Sequence, residues 1–168
     1  QIPNGVEVIG YGAFDSCNEL KEIILPPSVT TIENLAFSSC GKTKNIYVPE
    51  SVTQIDDMAF WHSGRTIIHV HPGSFAEEFA QKNKVKFDNN VQVYLDALEG
   101  KTEGTTKKKT ATAKTEEVAA PVALKEPFSL SASGKTLNKY EGKETVVTVP
   151  DGVTEIGVRA FANCCKLQ

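Results

Sequence analysis

No apolar run in this chain is long enough to cross a bilayer, which takes about 20 residues as a helix. An excess of basic residues is also missing: 18 Lys and Arg stand against 21 Asp and Glu, for a net charge of −3. Nucleic acid usually asks for a basic face, so it is not an expected partner. Residues 1–88 are more acidic still, with 11 acidic and 7 basic side chains. Catalytic patterns are absent too. No nucleophile stands beside a base and no phosphate loop occurs, while Asp56-Asp57 and Glu77-Glu78 are adjacent pairs and not facing dyads. His62, His69 and His71 are the whole histidine supply, and no Cys or acidic residue stands at a matching metal-ligand spacing. The sequence therefore predicts no enzyme, no metal site and no cofactor.

What the sequence does have is repetition. The stretch LPPSVTTIENLAFSSC at Leu25 to Cys40 returns 23 residues earlier as IPNGVEVIGYGAFDSC and 23 later as VPESVTQIDDMAFWHS. A fourth copy, VPDGVTEIGVRAFANC, lies at Val149 to Cys164. Self-similarity at such a period marks a solenoid, whose repeats bury their apolar faces only against their neighbours. Within a unit, Pro3, Pro26, Pro49 or Pro150 suits the second position of a type I turn. From each following isoleucine (Ile9, Ile32, Ile55, Ile156) the apolar positions fall at i+4, i+5 and i+8, a spacing that predicts a short helical turn. Leu20, Ile23 and Leu25 then return to the next proline in a short extended segment. Stacking such coils about 4.8 Å apart predicts ladders of like side chains, with Phe14, Phe37 and Phe60 as the spine. Cys17 and Cys40 fall on one inner ladder, where parallel thiols suit disulfide geometry poorly, so buried unbridged thiols are expected.

The pattern IP-x-x-V-x-x-I-x-x-x-AF-x-x-C-x-x-L-x-x-I-x-L-P over residues 1–72 and 149–168 resembles the BspA-like class of bacterial leucine-rich repeats. That resemblance implies an extracellular or cell-surface protein that binds other proteins, host matrix components among them, without catalysis. The expected fold class is a leucine-rich-repeat solenoid of 23-residue repeats, short strands plus short helical turns, with a helical C-terminal cap. Three departures stand out. Thr43 and Thr66 occupy the position of Leu20, Ser63 replaces the cysteine, and the tail Thr66-Ile67-Ile68-His69-Val70-His71 shifts its apolar residues by one. The shift suggests that the regular array is ending there.

Residues 1–72 thus form an array of three repeats, and 73–98 its cap. Ser74 with Glu77 three residues later reads as a capping box, Phe75 and Phe79 share one helix face, Asn83 is a stop, and Val85-Lys86-Phe87 alternates like a strand. Val91 to Leu95 is a further strand candidate. From 99 to 127 the chain holds six Thr, six Lys, five Glu and no aromatic residue, the composition of a flexible linker, and Lys107-Lys108-Lys109 reads as part of it. Residues 128–168 read as an opening hairpin and the first repeat of a second array. The chain reads as an excised piece of a longer protein, opening and closing inside a repeat.

Alternation along the return segments points Ile23, Leu25, Ile46 and Val48 inward and leaves Glu22, Ile24, Asn45 and Tyr47 outward, the candidate partner-binding face. The expected function is a protein-interaction or adhesion module of a bacterial cell-surface or secreted protein. The alternatives are a structural spacer, or an accessory region of a surface enzyme whose catalytic domain lies outside this sequence. Phe161 and Cys164 belong to the same ladders as Phe14 and Cys17, so residues 128–168 are expected to stack on residues 1–25. That contact forms within one chain or head-to-tail between chains, across a join two residues shorter than the normal repeat.

Overall fold

A computed structural model describes residues 2–18, 20–92, 128–142, 147 and 149–164. The expected linker at 99–127 and the strand residues 93–95 lie outside the described residues. The fold is a solenoid of about five turns built on two sheets of short strands. One sheet collects the strand that follows each proline turn: β1 (Val8–Ile9), β3 (Thr31–Ile32), β5 (Gln54–Ile55) and β10 (Glu155–Ile156). The other collects the return strands β2 (Glu22–Ile24), β4 (Asn45–Tyr47) and β6 (Ile67–His69), closed by β7 (Phe87–Asp88). A hairpin of β8 (Phe128–Leu130) and β9 (Thr136–Tyr140) completes the first sheet, whose order is β5-β3-β1-β10-β9-β8. The second runs β2-β4-β6-β7. Among the described residues the pairings between coils are parallel, as they must be when each strand is the same part of successive turns, and only β8–β9 is antiparallel.

The core is a column of rings. Phe161, Phe14, Phe37 and Phe60 follow one another at 5.2, 5.5 and 5.5 Å, with planes within 16° of parallel. Such offset stacking adds about 0.5–1.5 kcal/mol per pair to the burial itself. The column ends in tilted rings, Tyr140 and then Phe128 on one side and Phe79 on the other. Residues 149–164 thus stack on residues 2–18 within one chain, and β1 pairs β10 in regular register, Val8 to Glu155 and Ile9 to Ile156, despite the short join in sequence.

The expected helical turns are not there. Residues 10–17 make successive i to i+3 turns, Ala13 N–H to Gly10 O, Asp15 N–H to Gly12 O and Cys17 N–H to Phe14 O, and the other coils repeat them. Left-handed φ values at Gly12 and Ser16, Leu35 and Ser39, and Arg159 and Asn163 break a right-handed helix before it can run. These corners instead bond from coil to coil: Phe161 N–H reaches Ala13 O, Phe14 N–H reaches Ala36 O and Phe37 N–H reaches Ala59 O. Proline also sits one place earlier than expected, since Val6, Val29 and Val52 donate to Pro3, Pro26 and Pro49, making each proline the first residue of its turn.

Of the expected helical cap, the described residues hold a single nine-residue helix, α1 (Phe75–Asn83). Ser74 Oγ accepts from Glu77 N–H, and the Glu77 carboxylate takes Gly73 N–H, a variant of the capping box. Lys84, in left-handed conformation, ends the helix. Phe79 is buried against Phe60, whereas Phe75, expected on the same face, is exposed. The shift at Thr66 to His71 is not a loss of register. Thr66 still stacks over Thr43, but Ile67 pairs with Asn45, so one residue is dropped and Ile68 lands inward on Ile46. The second sheet therefore runs on through β6 to β7.

Candidate interaction face

The inner side of the second sheet is anchored by Ile23, Ile46 and Ile68, all buried. Alternation then forces their neighbours onto the outer side. Register places Glu22, Asn45 and Ile67 in one row, and Ile24, Tyr47, His69 and Asp88 in the next. All four residues expected on this face are brought together there. The face differs from the expected one in what it shows. Glu22 is exposed and Ile24 and Asn45 are half-buried, but Tyr47 is only 4% exposed. The His69 imidazole stacks on the Tyr47 ring at 4.4 Å, so the ring lies within the face and is not offered to solvent.

His69 is held from both sides. Its Nδ1 lies 2.7 Å from Asp88 Oδ1 and its Nε2 3.0 Å from Asn45 Oδ1, which fixes the ring plane over Tyr47. Burial first, then the carboxylates of Glu22 and Asp88, push the Tyr47 phenol above its ordinary value, so it stays a neutral hydroxyl at physiological pH. Chemically the face is a mixed strip: carboxylates at its ends, a packed aromatic pair in the middle, and an aliphatic side chain at Ile24. Sequence reasoning missed His69 and Asp88, because the dropped residue after Thr66 hides their phase.

A second group of side chains went unremarked. Tyr11, Met58, Trp61 and Val158 are exposed at the corners of the coils. Trp61 is 47% exposed with the His62 ring stacked 3.7 Å away. The signal was available: Trp61 occupies the repeat position of Asp15, Ser38 and Ala162, where nothing large is needed for packing.

The remaining polar groups are structural. Cys17 Sγ donates to Phe161 O at 2.9 Å, Cys40 Sγ to Phe14 O at 3.0 Å, and Ser63 Oγ to Phe37 O at 2.6 Å. Ser63 thus replaces the cysteine as a donor to the same carbonyl. Thr43 Oγ1 likewise donates to Cys17 O, and the Thr66 hydroxyl lies 2.9 Å from Thr43 O and 3.2 Å from Cys40 O, both carbonyls of the preceding coil. Burial pushes the Cys40 thiol up to about 12. Among the described residues no group of three His, Cys, Asp or Glu is placed to hold a metal ion, and no helix is long and apolar enough to cross a membrane.

No curated protein and no solved structure matches the chain. The BspA type leucine rich repeat region matches in six copies, over residues 1–93 and 136–168, well over half of the sequence. A stacked solenoid with in-register ladders is what such repeats build, and the repeat is that of a protein-interaction module. The chain belongs to the BspA-type leucine-rich repeat family.

Proposed function

We propose that this chain is a non-catalytic recognition module of a bacterial cell-surface or secreted protein, and that it binds a protein partner through the outer face of the β2-β4-β6-β7 sheet. The observation that carries the reading is the register. Four parallel strands hold Glu22, Ile24, Asn45 and Tyr47, with His69 and Asp88, in two fixed rows over a packed core. A preorganised face loses little side-chain freedom on binding, which favours affinity. The hairpin β8–β9 and helix α1 serve as end covers, each closing the ring column with tilted aromatics. The partner class is an extracellular protein, host matrix proteins included, and the adhesive role follows from the family's usual setting.

The test is a surface-binding panel of purified extracellular matrix and host surface proteins against the full chain. Binding by at least one member is expected, with Ile24→Glu weakening it about tenfold or more through an unpaired charge in the contact. Tyr47→Ala should weaken it as well, by unseating His69. The corner residues offer a second reading, favoured by the exposure of Trp61. Loss of binding in Trp61→Ala with Ile24→Glu unaffected moves the contact to that edge. A panel with no binder overturns the recognition role and leaves the spacer, or the accessory region of a surface enzyme.

A further inference from the structure

Two glycines mark the place where the stack is tightest. Gly10 and Gly157 stand where the β3 and β5 coils carry Glu33 and Asp56. Those carboxylate residues keep the shared backbone bond with room for a side chain, Glu33 N–H to Ile9 O at 2.9 Å and Asp56 N–H to Ile32 O at 3.0 Å. Gly10 comes closer, its N–H 2.6 Å from Ile156 O, and a Cβ there would lie 2.5 Å from that same oxygen. At Gly157 a Cβ would meet Leu137 O at 2.9 Å. The β10 coil is therefore fitted closely on both sides, against the hairpin and against the β1 coil.

Every contact across the β10–β1 boundary is non-covalent, because residues 2–18 and 149–164 lie at opposite ends of the sequence. The boundary nevertheless has the form of an ordinary coil-to-coil contact. Phe14 and Phe161 stack at 5.2 Å with planes 4° apart, Cys17 Sγ reaches Phe161 O, Glu7 N–H reaches Thr154 O at 2.7 Å, and Asn163 N–H reaches Asp15 O at 2.9 Å. Nothing in this set depends on which chain supplies residues 149–164.

We propose that the β1 edge is a docking surface for the hairpin and coil of a second copy, residues 128–142 and 149–164, as well as for those of its own chain. The occupant is identified by what already sits there: a coil with phenylalanine at the ring position, glycine after the isoleucine, and the Phe161 carbonyl that takes the Cys17 thiol. Exchange of an identical element reproduces the same contacts, so concentration decides between the closed monomer and the exchanged form. A unit tethered to its own edge competes at an effective concentration on the order of millimolar. Reciprocal exchange between two chains gives a closed pair, and one-way exchange gives an open row.

The test is refolding of the full chain from denaturant at about 1 mM, near the tether's effective value, and at about 5 μM, about two-hundredfold lower, followed by light-scattering mass measurement at one common dilution. The dilute sample should be monomeric, and the concentrated one should hold a dimer or larger fraction at least about tenfold higher. Gly10→Val should abolish that fraction while Trp61 emission, reporting the distant β5 coil, stays native. If that variant loses the native emission, Phe161→Ala, which alters only the docked unit, takes its place. Monomer at both concentrations overturns the proposal, and so does an oligomer that survives the folded Gly10 or Phe161 variant.

Discussion

The β1 coil has two neighbours, and the two contacts are not alike. Toward β3 it meets the next repeat of a continuous chain; toward β10 it meets residues from the far end of the sequence. Ring stacking, strand register and the corner bonds are the same on both sides. The hydroxyl contacts are not. At the β3 contact Ser28 Oγ donates to Val6 O at 2.7 Å and accepts from Gly5 N–H, and Thr43 Oγ1 donates to Cys17 O. The positions that would do this toward β10 are Gly5 and Leu20, which carry no hydroxyl. Apolar stacking and backbone bonding are therefore sufficient to continue the solenoid, and the side-chain hydroxyls add grip on top of them. The β10 contact offsets part of their absence by the closer backbone approach at Gly10.

The largest test of that equivalence is at the rings. Phe14→Ala and Phe37→Ala each remove a ring stacked on two others, and each should lower stability by about 3–5 kcal/mol in denaturant unfolding. If the β10 contact is a full member of the stack, the two losses agree. A Phe14→Ala loss near half that of Phe37→Ala would mean that the β10 side contributes little.

These rings were also the most legible part of the sequence. The solenoid, its period and its ring spine follow from the spacing of Ile9, Phe14 and Cys17 and their copies, because a repeat can bury those positions only by stacking. The corners were not legible. Apolar spacing of i, i+4 and i+5 fits a helix, but Leu35 and Arg159 adopt left-handed φ with no glycine to announce it, and at Arg159 the N–H is tied to Tyr11 O of the neighbouring coil. The face was legible in its membership and not in its exposure. Burial of Tyr47 depends on His69, which is separated from it by a repeat of irregular length.

Next in size is Ser63→Ala. Its hydroxyl donates to Phe37 O and accepts from Cys40 N–H, so both buried backbone groups lose a partner and a loss of about 1–3 kcal/mol is expected. Ser63→Cys should recover part of it, since the thiol is what Cys40 uses at the same place.

The Cys40 thiol tests the β3 contact by pH. Desolvation by burial raises it from the ordinary 9.0 to about 12, so the folded chain holds this proton more tightly than the unfolded one. The resulting stability is complete below pH 9.0 and is lost as pH rises toward about 12, by up to about 1.4 kcal/mol per pH unit. Urea midpoints at pH 8 and pH 10 should differ more in the wild type than in Cys40→Ser.

The smallest expected effect separates the two contacts directly. Glu7 and Gly10 amides bond across to the β10 coil, while Thr31 and Glu33 amides bond from β3 to the β1 coil. The β10 contact lacks counterparts to the three bonds of Ser28 and Thr43 and to the Thr30 Oγ1 bond to Glu7 O, each contributing about 0.5–1.5 kcal/mol, so it should open more often. Hydrogen exchange should run several-fold faster at Glu7 and Gly10 than at Thr31 and Glu33. Equal rates would show that the glycine approach makes up the whole difference.

The buried thiols and hydroxyls have a sense of direction. Cys17, Cys40, Ser63, Thr43 and Thr66 all give their hydrogen to the coil on the hairpin side, while Phe161, Phe14 and Phe37 send their corner amides the other way. The stack is therefore an arrow and not a ladder that reads alike from both ends. A damaged hydroxyl injures the coil behind it and leaves the coil ahead intact. A coil arriving upside down would set donor against donor. Lengthening this stack by further coils can then proceed in only one orientation, so any object built from it inherits a front and a back.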